Sequence, residues 1–343
     1  MRLAPTLVLT ALAVLGSIAL FKGVTRHLLH TPVPKHIVAQ YAEWKNAFQK
    51  LYATPAEDAH RLTVFYHKVL FVEKANTDYS AALWNRDGAV LESPMFAVNE
   101  FSDLTEEEFV KKYTGLKETT ETLAEYDEEK LSLPDAAGLE QSGYEVRIRH
   151  QLACGCCWAF AAMATFEKQY FDSKKQRLDL SHQELVDCTP AASGCNGGPP
   201  ASGLVYMAAN SVALASAYPY IAARQACKNI PKVPKISVEM KNPLFTTSLA
   251  VKVINAGKHP TVNLYASGKF ASVSKDSSVF DASLSGDCSR YPDHAVAIVG
   301  QSAGAFRLQN SWGRNWGEAG LKYVKPCSDT HIMGLGTSLV WVE

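Results

Sequence analysis

Residues 151–160 read QLACGCCWAF and lead without a break into an apolar-rich run whose spacing predicts one long helix over 157–172. Cys157 stands at the first position of that helix. There, unpaired backbone N–H groups and the helix dipole favour a thiolate, the ionised form that attacks as a nucleophile. Two other readings of the residue stand beside this one: a disulfide partner, the commoner fate of a cysteine in a secreted chain, or a buried thiol.

Beyond that helix, Ser181 followed by Glu184 is a capping-box pattern that opens a second, shorter one. The remainder reads as strands. Residues 251–253, 261–265, 294–299, 306–308 and 321–324 are short β-branched and aromatic runs broken by Gly, Pro, Asn and Ser. Helices first and strands second make an α+β arrangement of two lobes, with a cleft expected at their interface. On the N-terminal side, Trp44, Phe48 and Leu51, then Leu62, Phe65, Val69 and Val72, fall at helical spacing and predict two amphipathic helices. Residues 99–109 read as an extended piece and a helix start, where Asp103 or Thr105 can cap a turn carrying Glu106 to Glu108. Residues 118–130 (ETTETLAEYDEEK) are polar, acidic and aperiodic, the pattern of an exposed linker open to proteolysis.

The chain has 343 residues with 34 Lys+Arg against 34 Asp+Glu, so it advertises neither a polybasic nucleic-acid surface nor an acidic tail. At 47% apolar and 20% charged residues it lies far from the composition of disordered chains. All eight cysteines fall between Cys154 and Cys327. The apolar run 7–21, between Arg2 and Lys22, has the length of a signal-peptide core rather than the roughly 20 residues of a spanning helix. Cleavage after Ala19 and retention as a tilted signal anchor are the two outcomes, and either sends the rest into a disulfide-tolerant route.

Gln151-x-x-Cys154-Gly155-Cys156-Cys157-Trp158 resembles the active-site signature of the papain family of cysteine proteases, with Cys156 in place of the usual small third residue. Asp293-His294-Ala295-Val296 is similar to that family's general-base segment and Gln309-Asn310-Ser311-Trp312-Gly313 to its orienting segment, at intervals of 137 and 16 residues. Glu184-Leu185-Val186-Asp187-Cys188, Gly194-Cys195-Asn196-Gly197-Gly198 and Trp316-Gly317-Glu318 are further matches in the right order. In the leader, Glu57, Arg61, Phe65, Lys68, Val72 and Asn76 lie on one helical stripe, and Ala97-x-Asn99-x-Phe101-x-Asp103 follows. Both resemble propeptide motifs of the cathepsin L-like branch.

The resemblance implies a papain-like two-lobed α+β fold, one lobe helical and one β-barrel-like, behind a helical prodomain. It implies a cysteine endopeptidase made as a zymogen and activated by propeptide removal at acid pH. Cys157 would be the nucleophile, His294 the proton carrier, Asn310 the residue that orients it, and Gln151 an oxyanion donor, with Trp312 shielding the His–Asn bond. Gly197 and Gly198 would bind an extended peptide through their backbone. Pro199, Pro200, Leu264 and Pro292, with Ser338 at the edge, would form an apolar pocket without a carboxylate for the second residue upstream of the scissile bond (P2), and Asp293 would be a further substrate-binding residue. The implied disulfides are Cys154–Cys195, Cys188–Cys227 and Cys288–Cys327. Cys156 is then an extra thiol, either a small apolar side chain or a redox liability that captures an oxidised Cys157. No cofactor or metal is implied, and only Cys154-x-x-Cys157 has zinc-knuckle spacing.

The expected organisation is a signal peptide or anchor at 1–21, a helical inhibitory propeptide at 30–115, an activation linker at 116–132 and the peptidase at 133–343. Its partners would be polypeptide substrates, its own propeptide as intramolecular inhibitor, and cystatin-like inhibitors. Nucleic acid is not among them, and a monomer is expected. A lysosome, a digestive vacuole or the extracellular space is the expected destination. Residues 1–132 carry 14 basic against 18 acidic side chains and 133–343 carry 20 against 16, opposite signs that suit a leader bound to its enzyme.

Overall fold

A computed structural model of the chain describes residues 33–117, 143–334 and 338–343. The apolar run 7–21, the acidic stretch 118–130 and residues 133–142 lie outside the described residues. The chain divides into one compact unit ending at Tyr66 and a second spanning His67–Glu343.

In the first unit, α1 (Lys35–Ala47) meets the opening turns of α2 (Pro55–Asp87) through aromatic rings: Phe65 lies 5.4 Å from Tyr41 and 5.1 Å from Trp44. α2 starts where the Thr54 hydroxyl accepts the Glu57 backbone N–H at 3.1 Å. Pro55 then fills the first helical position, where a missing N–H costs nothing. Lys45 reaches Asp58 at 2.7 Å and the Tyr41 hydroxyl donates to the same carboxylate at 2.8 Å, which holds Asp58 below the usual carboxylate range.

In the second unit, the side chain of Asn76 on α2 imitates a backbone neighbour for Phe96, donating to its carbonyl and accepting its N–H, both at 2.9 Å. Residues 95–97 are thereby held extended and pair with 272–274: Ala97 N–H donates to Ser272 O and Ser274 N–H to Met95 O, each at 2.8 Å. Phe96 packs edge-on against Tyr79 and Phe280, and Asn99 donates to the Ala271 carbonyl at 2.7 Å. Arg86 bonds Asp281 at 2.8 Å. This places the base on the leader and the acid on the enzyme, the reverse of what the summed charges suggest. α3 (Glu106–Tyr113) is capped by Thr105, whose hydroxyl accepts the Glu108 N–H at 3.2 Å while the Glu108 carboxylate accepts the Thr105 N–H at 3.0 Å.

α4 (Cys157–Lys174) is buried on almost every side, as befits a central helix, and ends at Lys175 in the left-handed conformation. α5 (His182–Cys188) is capped by Ser181, which accepts the Glu184 N–H at 3.0 Å. The other half of that capping box does not form, because the Glu184 carboxylate accepts from Ala213 N–H at 2.6 Å and the Tyr206 hydroxyl at 2.9 Å and pairs with Lys232. With α6 (Pro200–Asn210) these helices enclose a core around Trp158, Phe166, Leu204 and Met207.

The second core lies on a sheet of seven strands among the described residues: β1 (Met240–Lys241), β2 (Thr261–Leu264), β3 (Phe280–Asp281), β4 (His294–Ser302), β5 (Ala305–Gln309), β6 (Leu321–Lys325) and β7 (Leu339–Val342). Their order is β1-β7-β2-β4-β5-β6-β3, antiparallel except for β3 against β6. The β4–β5 turn uses Ala303 and Gly304, both at positive φ, which matches the twist of the strands it joins. Residues 251–253, expected as a strand, belong instead to α7 (Thr247–Asn255). Thr246 caps that helix, and Leu249, Ala250, Val253 and Ile254 form one buried face, so packing overrides the β-preference of two valines. Disulfides join Cys154 to Cys195, Cys188 to Cys227 and Cys288 to Cys327, while Cys156 and Cys157 are free.

Candidate active site

Cys157 opens α4 and His294 opens β4, opposite Leu264 of β2. Both are fully buried. Cys157 packs with Ala161 and Ala295, and Leu116 of the leader lies against that cluster. The β4–β5 hairpin carries the chain back so that Asn310, just past β5, puts its Oδ1 2.8 Å from His294 Nε2. The Ser311 backbone N–H donates to the same oxygen at 2.7 Å. An oxygen facing two donors fixes the amide's orientation and makes Nε2 the protonated ring nitrogen. Nδ1, buried and without a hydrogen-bond partner, is the nitrogen left free to take a proton. The Trp312 ring lies 4.5 Å from the imidazole, over the His–Asn pair.

Gln151 is held from several sides. Its N–H donates to Ser311 O at 2.8 Å and its Oε1 accepts the Ser311 hydroxyl at 2.6 Å. That leaves Nε2 as donor, to Cys154 O at 2.9 Å and to Tyr113 O of the leader at 3.2 Å. Ser311 thus touches both Asn310 and Gln151. Sequence reading gave it no role, although it stands between two residues that had one.

Burial sets the charge state of the covered site. It pushes the Cys157 thiol well up, against the Ala295 and Trp158 backbone N–H groups that favour the thiolate. It also lowers His294 to about 4, against the bond to Asn310. Both shifts favour the neutral forms of thiol and imidazole. Cys156 is pushed up to about 12 by burial, and its Sγ lies 3.1 Å from the Tyr220 hydroxyl in the helical core. The two adjacent cysteines thus pack in different clusters, Cys156 in the helical core and Cys157 under the leader.

The leader crosses this site as a short strand. Gly115 and Leu116 donate their N–H groups to Asp293 O at 3.1 Å each, Lys117 N–H donates to Gly198 O at 3.2 Å, and Gly198 N–H donates to Gly115 O at 2.9 Å. Tyr113 O also accepts from Trp312 Nε1 at 3.1 Å, while Phe101 and Phe109 meet that ring edge-on at 5.6 and 5.2 Å. Gly197 and Gly198 are needed as glycines: a Cβ on the first would stand 2.5 Å from Gly115 O, and on the second 2.6 Å from the Ala192 Cβ. Pro199 immediately precedes α6 without a capping hydrogen bond and Pro200 is its first residue. Leu264 ends β2, fully buried, and its carbonyl accepts the N–H of Asp293, which follows Pro292. The Asp293 carboxylate, raised to about 6 by burial, is taken up by the Ala266 N–H and the Ser267 hydroxyl. Ser338 accepts from the Asn263 amide at 3.0 Å.

Comparison with known proteins adds an independent line. Residues 133–339 match the model of the papain family of cysteine proteases, and residues 41–109 match the cathepsin propeptide inhibitor domain I29. Caricain of Carica papaya is 30% identical over 304 residues, covering 83% of this chain and 80% of its own. Cathepsin L 2 of Paramecium tetraurelia is 27% identical over 297 residues, covering 82% and 85%. Among solved structures, a recombinant stem bromelain precursor superposes with a TM-score of 0.72 at 26% identity, covering 90% of this chain and 99% of its own. A fold of helical and sheet cores, a leader strand lying over a cysteine at a helix start, and these matches agree: the chain belongs to the papain family of cysteine proteases and carries the I29 propeptide of a proform.

Proposed function

We propose that the chain is an endopeptidase in which Cys157 attacks the peptide carbonyl, with His294, Asn310 and Gln151 completing the machinery. One observation carries this reading: residues 115–117 of the chain itself lie over Cys157, held by main-chain bonds to Gly198 and Asp293 of the kind an extended peptide substrate would make. As Sγ attacks, its proton passes to His294 Nδ1. The Asn310 bond at Nε2 stabilises the imidazolium and holds the ring in place. Charge developing on the carbonyl oxygen is met by Gln151 Nε2, now occupied by the Tyr113 carbonyl, and by the N–H of Cys157. His294 then protonates the leaving amine, and water releases the thioester.

Leu116 is the best guide to the P2 pocket. It sits beside Gly198 and packs on Cys157, Ala161 and Ala295. Pro199, Pro200, Leu264 and Pro292 supply no charge, and the Asp293 carboxylate already has its partners. Peptide-library profiling of the activated enzyme is expected to favour Leu over Arg at P2 by about tenfold or more, the scale of a few buried methylenes. Preference for Arg would reject this pocket.

Release of the leader is proposed to accelerate as pH falls. A covered His294 that titrates at about 4 binds fewer protons than a solvated one near 6.5, so the covered state loses ground between those values. Asp293, at about 6, has the opposite sign. Its partners Ala266 and Ser267 belong to the enzyme and remain when the leader departs, so its titration changes less between the two states. Leader release, followed by epoxide labelling of Cys157 in the uncleaved chain, should speed up from pH 6.5 toward 4; a rate flat or falling over that window would count against His294 as the trigger. In this reading residues 30–115 inhibit, 116–132 are removed, and 133–343 form the enzyme. The apolar run 7–21 delivers it through the secretory route to a lysosome, a vacuole or the exterior.

A further inference from the structure

Leu152, immediately after Gln151, holds φ at +54° with about half of its surface exposed. A β-carbon disfavours this left-handed conformation, so contacts from around the loop must hold it there. Within the loop, Cys154 N–H bonds Leu152 O at 2.9 Å, Cys156 N–H bonds Cys154 O at 2.7 Å and the Gln151 amide donates to Cys154 O at 2.9 Å, while Leu152 N–H to His150 Nδ1 at 2.9 Å, Gly155 N–H to Cys195 O at 3.0 Å and the Cys154–Cys195 disulfide anchor its middle. The loop's two ends, however, meet at one side chain from elsewhere. Tyr220 donates its hydroxyl proton to the Gln151 carbonyl at 2.5 Å, and the same oxygen lies 3.1 Å from Cys156 Sγ. A carbonyl can only accept, so the phenol's single proton is committed to Gln151, and Cys156 S–H is the donor to the phenol oxygen. Each bond in such a chain polarises the next. Tyr220 is itself steadied by Phe160 of α4, edge-on at 5.2 Å.

We propose that Tyr220 and Cys156 are positioning residues for the oxyanion donor: the relay Cys156 S–H to Tyr220 O–H to Gln151 C=O closes the strained 151–156 loop and aims the Gln151 amide. The thiol next to the nucleophile in sequence thereby acquires a role as a hydrogen-bond donor. This inference rests on the proposed role of Gln151, and the test separates the two.

The experiment compares Tyr220→Phe, Cys156→Ser, Cys156→Ala, Gln151→Ala and the double variant Tyr220→Phe/Gln151→Ala. Each is expressed as the full chain and processed, with active sites counted by an epoxide inhibitor. Tyr220→Phe should lower kcat about tenfold with KM unchanged, less than the ~10² to 10³ expected when an oxyanion donor is removed outright. Cys156→Ser, which still donates, should stay within about twofold of the parent, whereas Cys156→Ala should fall between it and Tyr220→Phe. Alkylation of Cys157 by iodoacetamide passes through no oxyanion and should be unchanged in every variant. On a Gln151→Ala background, Tyr220→Phe should have no further effect. The inference is overturned by an unchanged kcat in Tyr220→Phe, by effects that multiply in the double variant, or by alkylation falling in step with turnover. An unchanged kcat in Gln151→Ala overturns the role of Gln151 and this inference together.

Discussion

Cys157→Ala should lower peptide hydrolysis by about 10⁴-fold or more, the scale seen when a catalytic nucleophile is deleted, while leaving the fold and the bound leader intact. The substitution removes one sulfur from a cluster made of Ala161, Ala295 and Leu116, so the packing loss is small beside the chemical one. None of the leader's main-chain bonds to Gly198 and Asp293 involves the sulfur. His294→Ala should fall nearly as far, since removal of Nδ1 deprives the thiol of its proton acceptor and the leaving amine of its donor. Because these residues act as a unit, the double variant should be hardly worse than either single one. Cys156→Ala provides the comparison: the neighbouring thiol is removed from the helical core rather than from the cluster under the leader, and its loss should stay within about tenfold. Activity surviving in Cys157→Ala, or epoxide labelling at Cys156, would remove Cys157 from the mechanism.

Gly115→Val should unseat the leader without touching the enzyme. A Cβ at this position would stand 2.1 Å from Gly155 O, 2.6 Å from its carbonyl carbon and 2.9 Å from its Cα, all main-chain atoms just ahead of the nucleophile. No side chain can swing aside to relieve such a contact, so the strand must lift. With it go the bonds from Gly115 and Leu116 to Asp293 and from Gly198 to Gly115. At about 0.5–1.5 kcal/mol for each hydrogen bond and 1–3 for the overlap, the leader's hold should weaken on the order of 10²-fold or more. Epoxide labelling of Cys157 in the uncleaved chain measures this directly, and labelling at the parental rate would show that the strand over the site is not what blocks it.

Much of this molecule is legible in its sequence, and the parts that are not share a physical cause. The start of α4 at Cys157, the cap at Thr105 and the strand opened by His294 follow from local spacing and capping chemistry. Family likeness carried Asn310, Gln151 and Trp312. What escaped depends on contacts between distant segments. The Ser181 box is half-formed because Glu184 finds Ala213 and Tyr206, and 251–253 is helical because its neighbours need a buried face there. Tyr220 reaches Gln151 across 69 positions with no motif to announce it. Net charge does not fix individual leader contacts: Arg86 meets Asp281 against the sign of the segments that carry them, while Glu100 meets His150 with it.

The strand laid across Cys157 also has a consequence in terms of dilution. In sequence, 25 residues, 118–142, join Lys117, bonded to Gly198, to Gly143 of the enzyme. An inhibitor so attached sees its target at an effective concentration near the millimolar range, whatever the volume around it. Once the tether is cut, that local concentration vanishes and the leader must compete at the concentration of the surrounding fluid. Under the proposed activation by cleavage, a single broken bond would couple activity to volume: blocked while intact even when the protein is scarce, and free after cleavage because it is scarce.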